Sequence, residues 1–336
     1  MDRIKKHFAL ALALIMTLTL AAFGQGDGAA QKPEDAEAET PVTARIAALK
    51  GPTAMGLVKL MEDDPQSAAG PLYAFTLAAS ADEVTPALIK GDLDMACVPA
   101  NLAAVLYQKT EGEIVTLAVN TLGVLYIVEN GNAVQSMEDL RGTTIAAAGK
   151  GSTPEYALRY LLRENGLDPD ADVVIDWKSE HSECVSALAS GAATIALLPQ
   201  PFVTVAQSKL TGLRTALDLT EEWDALDNGS ALLTGVVAVR RSFVEEHPAA
   251  AAQFLEDYAA SVAWVNANTG GAAALVGSYG IVDAAVAEKA LPHCNIVCIT
   301  GGEMKDMLSG YLEVLYDAAA GSVGGKLPGD DFYYGA

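Results

Sequence analysis

The stretch Glu83–Lys109, EVTPALIKGDLDMACVPANLAAVLYQK, lies in ungapped register over Glu183–Lys209, ECVSALASGAATIALLPQPFVTVAQSK, at an offset of 100 residues. Eight of the 27 positions are identical, among them Glu83/Glu183, Ala87/Ala187, Leu88/Leu188, Gly91/Gly191 and Pro99/Pro199. The same offset lays Lys50-Gly51-Pro52-Thr53 over Lys150-Gly151-Ser152-Thr153. Solenoid repeats have periods of about 20–50 residues, so a repeat this long indicates two copies of one α/β lobe. Each copy carries a Gly/Thr loop and a Pro-containing loop at matching places, which predicts that the copies face one another across a cleft.

Working outward, each repeat reads strand, loop, helix, strand, helix, strand, loop, helix. In the first, a strand at 45–49 turns at Gly51–Ala54 into a helix with apolar Met55, Leu57, Val58, Leu60 and Met61. A strand at 73–77, a helix at 82–90 ending at Gly91 and an apolar strand at 93–98 follow. A glycine just past the last helical residue is the common helix stop. The second copy predicts strands at 144–148, 173–177 and 194–198, with helices at 155–165 and 183–191. Alternating elements of these lengths imply parallel strands with right-handed crossovers. Two longer apolar runs, 114–128 and 231–239, carry Thr121 with Gly123 and Thr234 with Gly235 near their middles. Such runs are expected to cross between lobes, with glycine absorbing the backbone change of a hinge. Ser242-Phe-Val-Glu245 and Thr300-Gly-Gly-Glu303 read as capping boxes. The first precedes a long Ala-rich helix at 248–268, and the second opens a helix running to Tyr316. These C-terminal helices are expected to pack on the first lobe.

The chain has 336 residues, enough for two domains of ordinary size. Arg3, Lys5 and Lys6 followed by the uncharged run Phe8–Ala22 form a secretory signal. That run is 15 residues long, short of the roughly 20 that a membrane-spanning helix needs. Leu20-Ala21-Ala22-Phe23-Gly24 has the form of a lipoprotein cleavage site with phenylalanine in place of the lipid-accepting cysteine. Residues 25–40 are small and acidic and read as a flexible linker. The organisation expected is thus signal peptide 1–24, linker 25–40, lobe 1 from 41–122 and 236–336, and lobe 2 from 123–235. Loss of residues 1–22, which hold Asp2, Arg3, Lys5 and Lys6, takes the formal charge from −22 to −24. So acidic a surface argues against nucleic acid and anionic lipid as partners.

In doubly wound sheets, ligands sit at the carboxyl ends of strands. This rule selects Thr53, Ala54, Met55, Ser80 and Asn101 in the first lobe and Ser152, Thr153 and Gln200 in the second, with Thr121 and Thr234 at the crossings. Backbone N–H groups and a hydroxyl at a helix start suit an oxyanion, and equally suit plain capping. Neither Gly/Thr loop holds an arginine, which argues against tightly bound phosphate. Gly149-Lys150-Gly151-Ser152-Thr153 lacks the glycine spacing of a nucleotide-binding P-loop. Asn101 and Gln200 each offer donor and acceptor, which suits a neutral polar or zwitterionic solute. The histidines at 7, 181, 247 and 293 form no acid/base pair with a nucleophile, and His247 reads as structural. Cys97 and Cys184 read as core residues. Cys294 and Cys298, spaced along an extended run, do not read as a metal pair. No cofactor or metal is expected.

Lys50-Gly-Pro-Thr-Ala-Met-Gly56, Val98-Pro-Ala-Asn101, Gly149-Lys-Gly-Ser-Thr-Pro154 and Leu198-Pro-Gln-Pro201 resemble the substrate-binding proteins of bacterial ABC transporters. So does the pattern Ser242-Phe…His247-Pro248…Phe254-Leu255. The likeness spans about residues 41–336 and lies with the branch of nitrate, sulfonate and taurine binders and thiamine-precursor binders. It implies a two-lobed type II periplasmic-binding-protein fold, a Venus flytrap with two hinge-crossing strands. It also implies a monomeric, non-enzymatic receptor working with an ABC transporter permease outside the cytoplasm. Its solute would carry a carboxylate or sulfonate, or be a neutral heterocycle. Phe23 departs from the family pattern and puts lipid anchoring in doubt. Two other readings share the same sequence features: an enzyme of cofactor biosynthesis on this fold, and a ligand-sensing partner of a membrane receptor.

Overall fold

A computed structural model describes residues 42–67 and 70–336. The expected signal peptide, the linker and Phe23 lie outside the described residues. The first repeat unrolls as β1 (Ala44–Leu49), α1 (Pro52–Met55), α2 (Val58–Asp63), a small ladder of β2 (Gln66–Ser67) and β3 (Gly70–Pro71), then β4 (Tyr73–Ala78), α3 (Ala81–Lys90), β5 (Met95–Pro99) and α4 (Ala100–Lys109). Next come β6 (Ile114–Leu122) and β7 (Leu125–Glu129). The second repeat gives β8 (Thr144–Ala148), α5 (Thr153–Glu164), β9 (Val174–Lys178), α6 (His181–Ser190), β10 (Ile195–Pro199) and α7 (Phe202–Lys209). It is followed by β11 (Arg214–Asp218), α8 (Leu219–Asp224), β12 (Leu233–Arg240), α9 (Arg241–Glu246), α10 (Pro248–Ala267), α11 (Thr269–Ser278), α12 (Ala284–Ala290), β13 (Ile296–Ile299) and α13 (Gly301–Ala318).

The offset of the sequence repeat persists as topology. One sheet is ordered β13-β6-β12-β5-β1-β4 and the other β11-β7-β10-β8-β9. Removing the edge strand β13 leaves two sheets of the same order, in which β6, β12, β5, β1 and β4 match β11, β7, β10, β8 and β9. In each, three parallel strands from one repeat meet an antiparallel strand from beyond the other repeat: β12 beside β5, and β7 beside β10. The sheets therefore exchange one strand each, and this exchange makes the fold two-lobed. β5, β7 and β10 are buried almost throughout, as expected of strands covered on both faces.

Four local expectations are corrected. The run 114–128 is two strands, because the chain leaves one sheet at Gly123-Val124 and enters the other. The first helix is broken at Gly56-Leu57, where Ser261 of α10 enters the gap. The Ser261 hydroxyl donates to the Gly56 carbonyl (2.6 Å) and accepts from Leu60 N (3.1 Å), replacing bonds the break removes. An inserted side chain is a recognised cause of such breaks. Neither expected capping box forms. Ser242 Oγ donates instead to the Glu113 carboxylate (2.6 Å), a charged acceptor stronger than a backbone partner, and Thr300 flanks α13 without a side-chain cap bond. Finally, α10 and α11 pack on α2 as expected, but α13 lies against both α4 and α5 and so touches elements of both sheets.

At the end of β7, Glu129 is 3% exposed. It accepts from the backbone N–H groups of Ala133 and Val134 and from Arg214. Burial pushes its carboxyl up, but the Ala133 N–H, the Arg214 guanidinium and the Val134 N–H outweigh burial and hold it below the usual carboxylate range. A carboxyl held low in the folded state contributes stability that is present above its unfolded value and lost as pH falls through the folded one. Glu129→Gln is expected to lower stability at neutral pH and to flatten the loss of stability that urea melts show as pH falls through and below the usual carboxylate range. A variant whose stability falls with acid as steeply as wild type would show that Glu129 does not carry this dependence.

Candidate functional site

At the carboxyl edge of the first sheet, β1, β6 and β12 bring Thr53, Asn120, Thr121 and Gly235 together. Asn120, fully buried, donates to the Thr53 carbonyl (3.3 Å) and accepts from the Thr121 hydroxyl (3.1 Å). A Cβ on Gly235 would stand 2.5 Å from Asn120 Oδ1 and 2.6 Å from Thr53 Cγ2, so only glycine lets the three elements meet. Beside them, Thr234 Oγ1 is buried without a hydrogen-bond partner. Asn101, in the first turn of α4, donates to the Ser322 carbonyl (3.1 Å) and leaves its own Oδ1 buried and unpartnered. Buried polar atoms without partners are uncommon, and here they stand where the fold places ligands.

The other expected residues separate. Ala54 and Met55 are fully buried in the core with Tyr258 and Ile296, so their side chains pack there and only their backbone groups face the strand end. The strand-end rule picks out backbone N–H groups, whereas the first turn of α1 points its side chains inward. Ser80 follows the edge strand β4 and is exposed, its hydroxyl donating to Glu83 (3.2 Å). Ser152 donates to the Gly149 carbonyl (2.7 Å). Thr153, 1% exposed, accepts from the Tyr311 hydroxyl of α13 (3.2 Å), which ties it to the C-terminal helix. Thr53 likewise donates to the Leu49 carbonyl (2.9 Å). Asn120 was missed because one polar side chain inside the run IVTLAVNTL reads as a tolerated exception; a lone amide in so apolar a run, which the structure buries except at Leu122, was the available signal. His181 begins α6 at the end of β9, its ring 5.2 Å from that of Phe202 and its Nδ1 buried without a partner. Burial pushes its pKa down to about 4.

Gln200 stands apart. It lies in the floor of a groove of about 690 Å³ together with Tyr126, Thr204 and Val203. One wall is Thr215 to Glu221, from β11 and α8; the other is Lys289 and His293, from the end of α12 and the turn after it. The two walls belong to different sheets, since α12 packs in the core of the first. Gln200 and Thr204 are 5% and 7% exposed, and the Thr204 hydroxyl donates to Gln200 Oε1 (2.9 Å). Tyr126 reaches across to donate to the His293 carbonyl (3.4 Å). Burial, then Asp218, Cys294 and Glu221, push its pKa up. Lys289 and His293 follow Gln200 by about ninety residues, and no local pattern announces them.

The passage between sheets is tightly held. Asn295 Nδ2 donates to the Gly123 carbonyl (2.5 Å), Asn295 O accepts from Leu122 N (3.1 Å), and Val124 O accepts from Gln200 N (3.0 Å). Cys97, Cys184 and Cys294 are buried free thiols and Cys298 is partly buried. Among the described residues, no group of three or more His, Cys, Asp or Glu is placed to hold a metal ion. Nor is any helix among them long and apolar enough to cross a membrane.

The profile of the NMT1-like family matches residues 43–277. A search of curated proteins found no significant match. Among solved structures, a chain described as an ABC transporter from Parabacteroides distasonis is similar at 23% identity, over 87% of this chain and 98% of that one, with a TM-score of 0.74. The periplasmic aliphatic sulphonate binding protein SsuA from Escherichia coli is similar at 18% identity, over 83% and 88% of the two chains, with a TM-score of 0.68. A ligand-binding component of an ABC-type import system from Staphylococcus aureus, with zinc bound, is similar at 17% identity, over 87% and 95%, with a TM-score of 0.66. These likenesses establish a two-lobed periplasmic-binding-protein fold.

Proposed function

The chain belongs to the NMT1-like family, and from that premise we propose that it is an extracytoplasmic solute receptor. It captures a small organic molecule between its two lobes and delivers it to the permease of an ABC transporter. The observation that carries this reading is the strand exchange: two sheets of one topology joined through short crossings at Gly123-Val124 and before Leu233. Two rigid bodies on short connections can open and close, and a solute that contacts both favours the closed state by its differential affinity. Unpartnered Asn101 Oδ1 and Thr234 Oγ1, the latter next to the Gly235 that Thr53 and Thr121 surround, would supply polar contacts at the strand ends of the first sheet, Ser152 at those of the second, and Gln200 in the groove. The names of the similar structures, which include sulphonate and nitrate binders and import components, support the role without fixing this chain's solute. Lobe 1 would comprise 41–122 and 236–336 and lobe 2 residues 123–235. The apolar N-terminal run directs export, and Phe23 leaves the exported protein without an acyl acceptor.

A thermal-shift screen of small carboxylates, sulfonates, nitrate and amino acids, followed by small-angle scattering with the best stabiliser, tests the proposal. A bound solute is expected to raise the melting temperature and shrink the radius of gyration. A saturating stabiliser that leaves the scattering curve unchanged would count against closure of two lobes.

A further inference from the structure

The solute-receptor reading leaves the class of solute open, and the groove around Gln200 bears on it. Its floor is polar and buried: Gln200 and Thr204 are hydrogen-bonded to each other, and Tyr126 is 8% exposed. Its walls carry opposite charge. Asp218 and Glu221 line the side built from β11 and α8, while Lys289 supplies the cation on the side built from α12 and the following turn, which His293 also lines. Among the described residues, none of Asp218, Glu221 and Lys289 forms an ion pair with another side chain. Asp218 accepts from Thr220 N through one oxygen, which caps α8 and leaves the other oxygen available.

A ligand carrying only an anion would meet Lys289 at the cost of repulsion from the opposite wall, and a simple cation would face the reverse. A molecule with both signs finds a partner on each. The protein's formal charge of −22 adds a long-range term against anions that a ligand of zero net charge escapes. The volume of about 690 Å³ falls among ordinary small-molecule sites. We infer that this groove binds a small zwitterion, its ammonium group toward Asp218 and Glu221 and its oxyanion toward Lys289 and His293. Because the two walls belong to different sheets, a molecule held at both ends also ties the lobes together; in that respect the inference rests on the receptor reading.

Calorimetric titration of the full chain with glycine, β-alanine and 4-aminobutanoate, beside acetate, propanoate and ethylamine, tests it. At least one of the amino acids is expected to bind, with the single-charge analogues about 10-fold weaker or worse, since each lacks one charged hydrogen-bonded contact. Glu221→Gln and Lys289→Gln should each weaken that amino acid about 10-fold or more, with melting temperatures unchanged because both side chains are exposed. The exchanged pair Glu221→Lys with Lys289→Glu should recover part of the loss. The inference is overturned if none of the amino acids binds with a dissociation constant below about 10 mM. It is equally overturned if the single-charge analogues bind as well, or if the variants titrate like wild type. Should another solute contract the particle under any of those outcomes, the receptor reading stands and only the zwitterion falls.

Discussion

Trp223→Ala is expected to destabilise the protein by about 3–5 kcal/mol, the range for truncating a fully buried aromatic side chain. Trp223, on α8, is completely buried. Its ring lies 4.8 Å from that of Tyr160 on α5 and 5.7 Å from that of Tyr311 on α13. Its indole N–H donates to Ser230 Oγ (3.0 Å). The residue thus joins three helices, of which α13 begins beside the first sheet and reaches α5 of the second. Alanine would leave a cavity between Tyr160 and Tyr311 and would strand the Ser230 hydroxyl, which keeps only Asn228. Trp223→Phe should cost less, since most of the apolar volume stays. Urea denaturation with an unchanged slope reads the difference directly. A loss below about 1 kcal/mol for the alanine variant would mean that the helices close over the gap and that Trp223 is not the joint between the lobes.

That joint was not legible in the sequence, and the reason is physical. The repeat at offset 100 showed the strands and helices of each lobe because their apolar periodicity is local. The two copies also share strand order, which the structure adds: β1 and β8, and β5 and β10, occupy matching places in the two sheets. What joins the lobes depends on residues far apart in the chain. The run 114–128 reads as one apolar strand, since an apolar strand looks the same whichever sheet receives it; only Gly123 hinted at the change. Asn101 and Thr153 were selected by a rule about strand ends that knows nothing of the C-terminal segment. Yet Ser322 and Tyr311, from that segment, take their hydrogen bonds. The groove at Gln200 was half legible for the same cause: its floor belongs to the repeat, and its basic wall arrives from α12.

Gly123→Ala is expected to cost about 1–3 kcal/mol, the range for overfilling a packed site, and Thr220→Ala should restore most of it. Gly123 links β6 to β7, its carbonyl held by Asn295. A Cβ there would collide with Thr220 Oγ1 and press within 3.2 Å of Leu232 Cδ2. Thr220 belongs to α8 of the second sheet and Leu232 to the return crossing just before β12, so one glycine lets the outgoing connection pass close against both. The Thr220 hydroxyl is buried without a partner, so its removal alone should be close to neutral. The pair therefore forms a double-mutant cycle with a predicted sign: the two substitutions together should be less harmful than their sum by about 0.5 kcal/mol or more. Additive losses would mean that the strain of Gly123→Ala is relieved elsewhere, and that close approach of the crossings does not explain the glycine. If the crossings act as the hinge, the single variant carries a second signature. Its bulk bears on the connections whose geometry must change on closure, so solute should contract it less than wild type, while the double variant regains the full contraction.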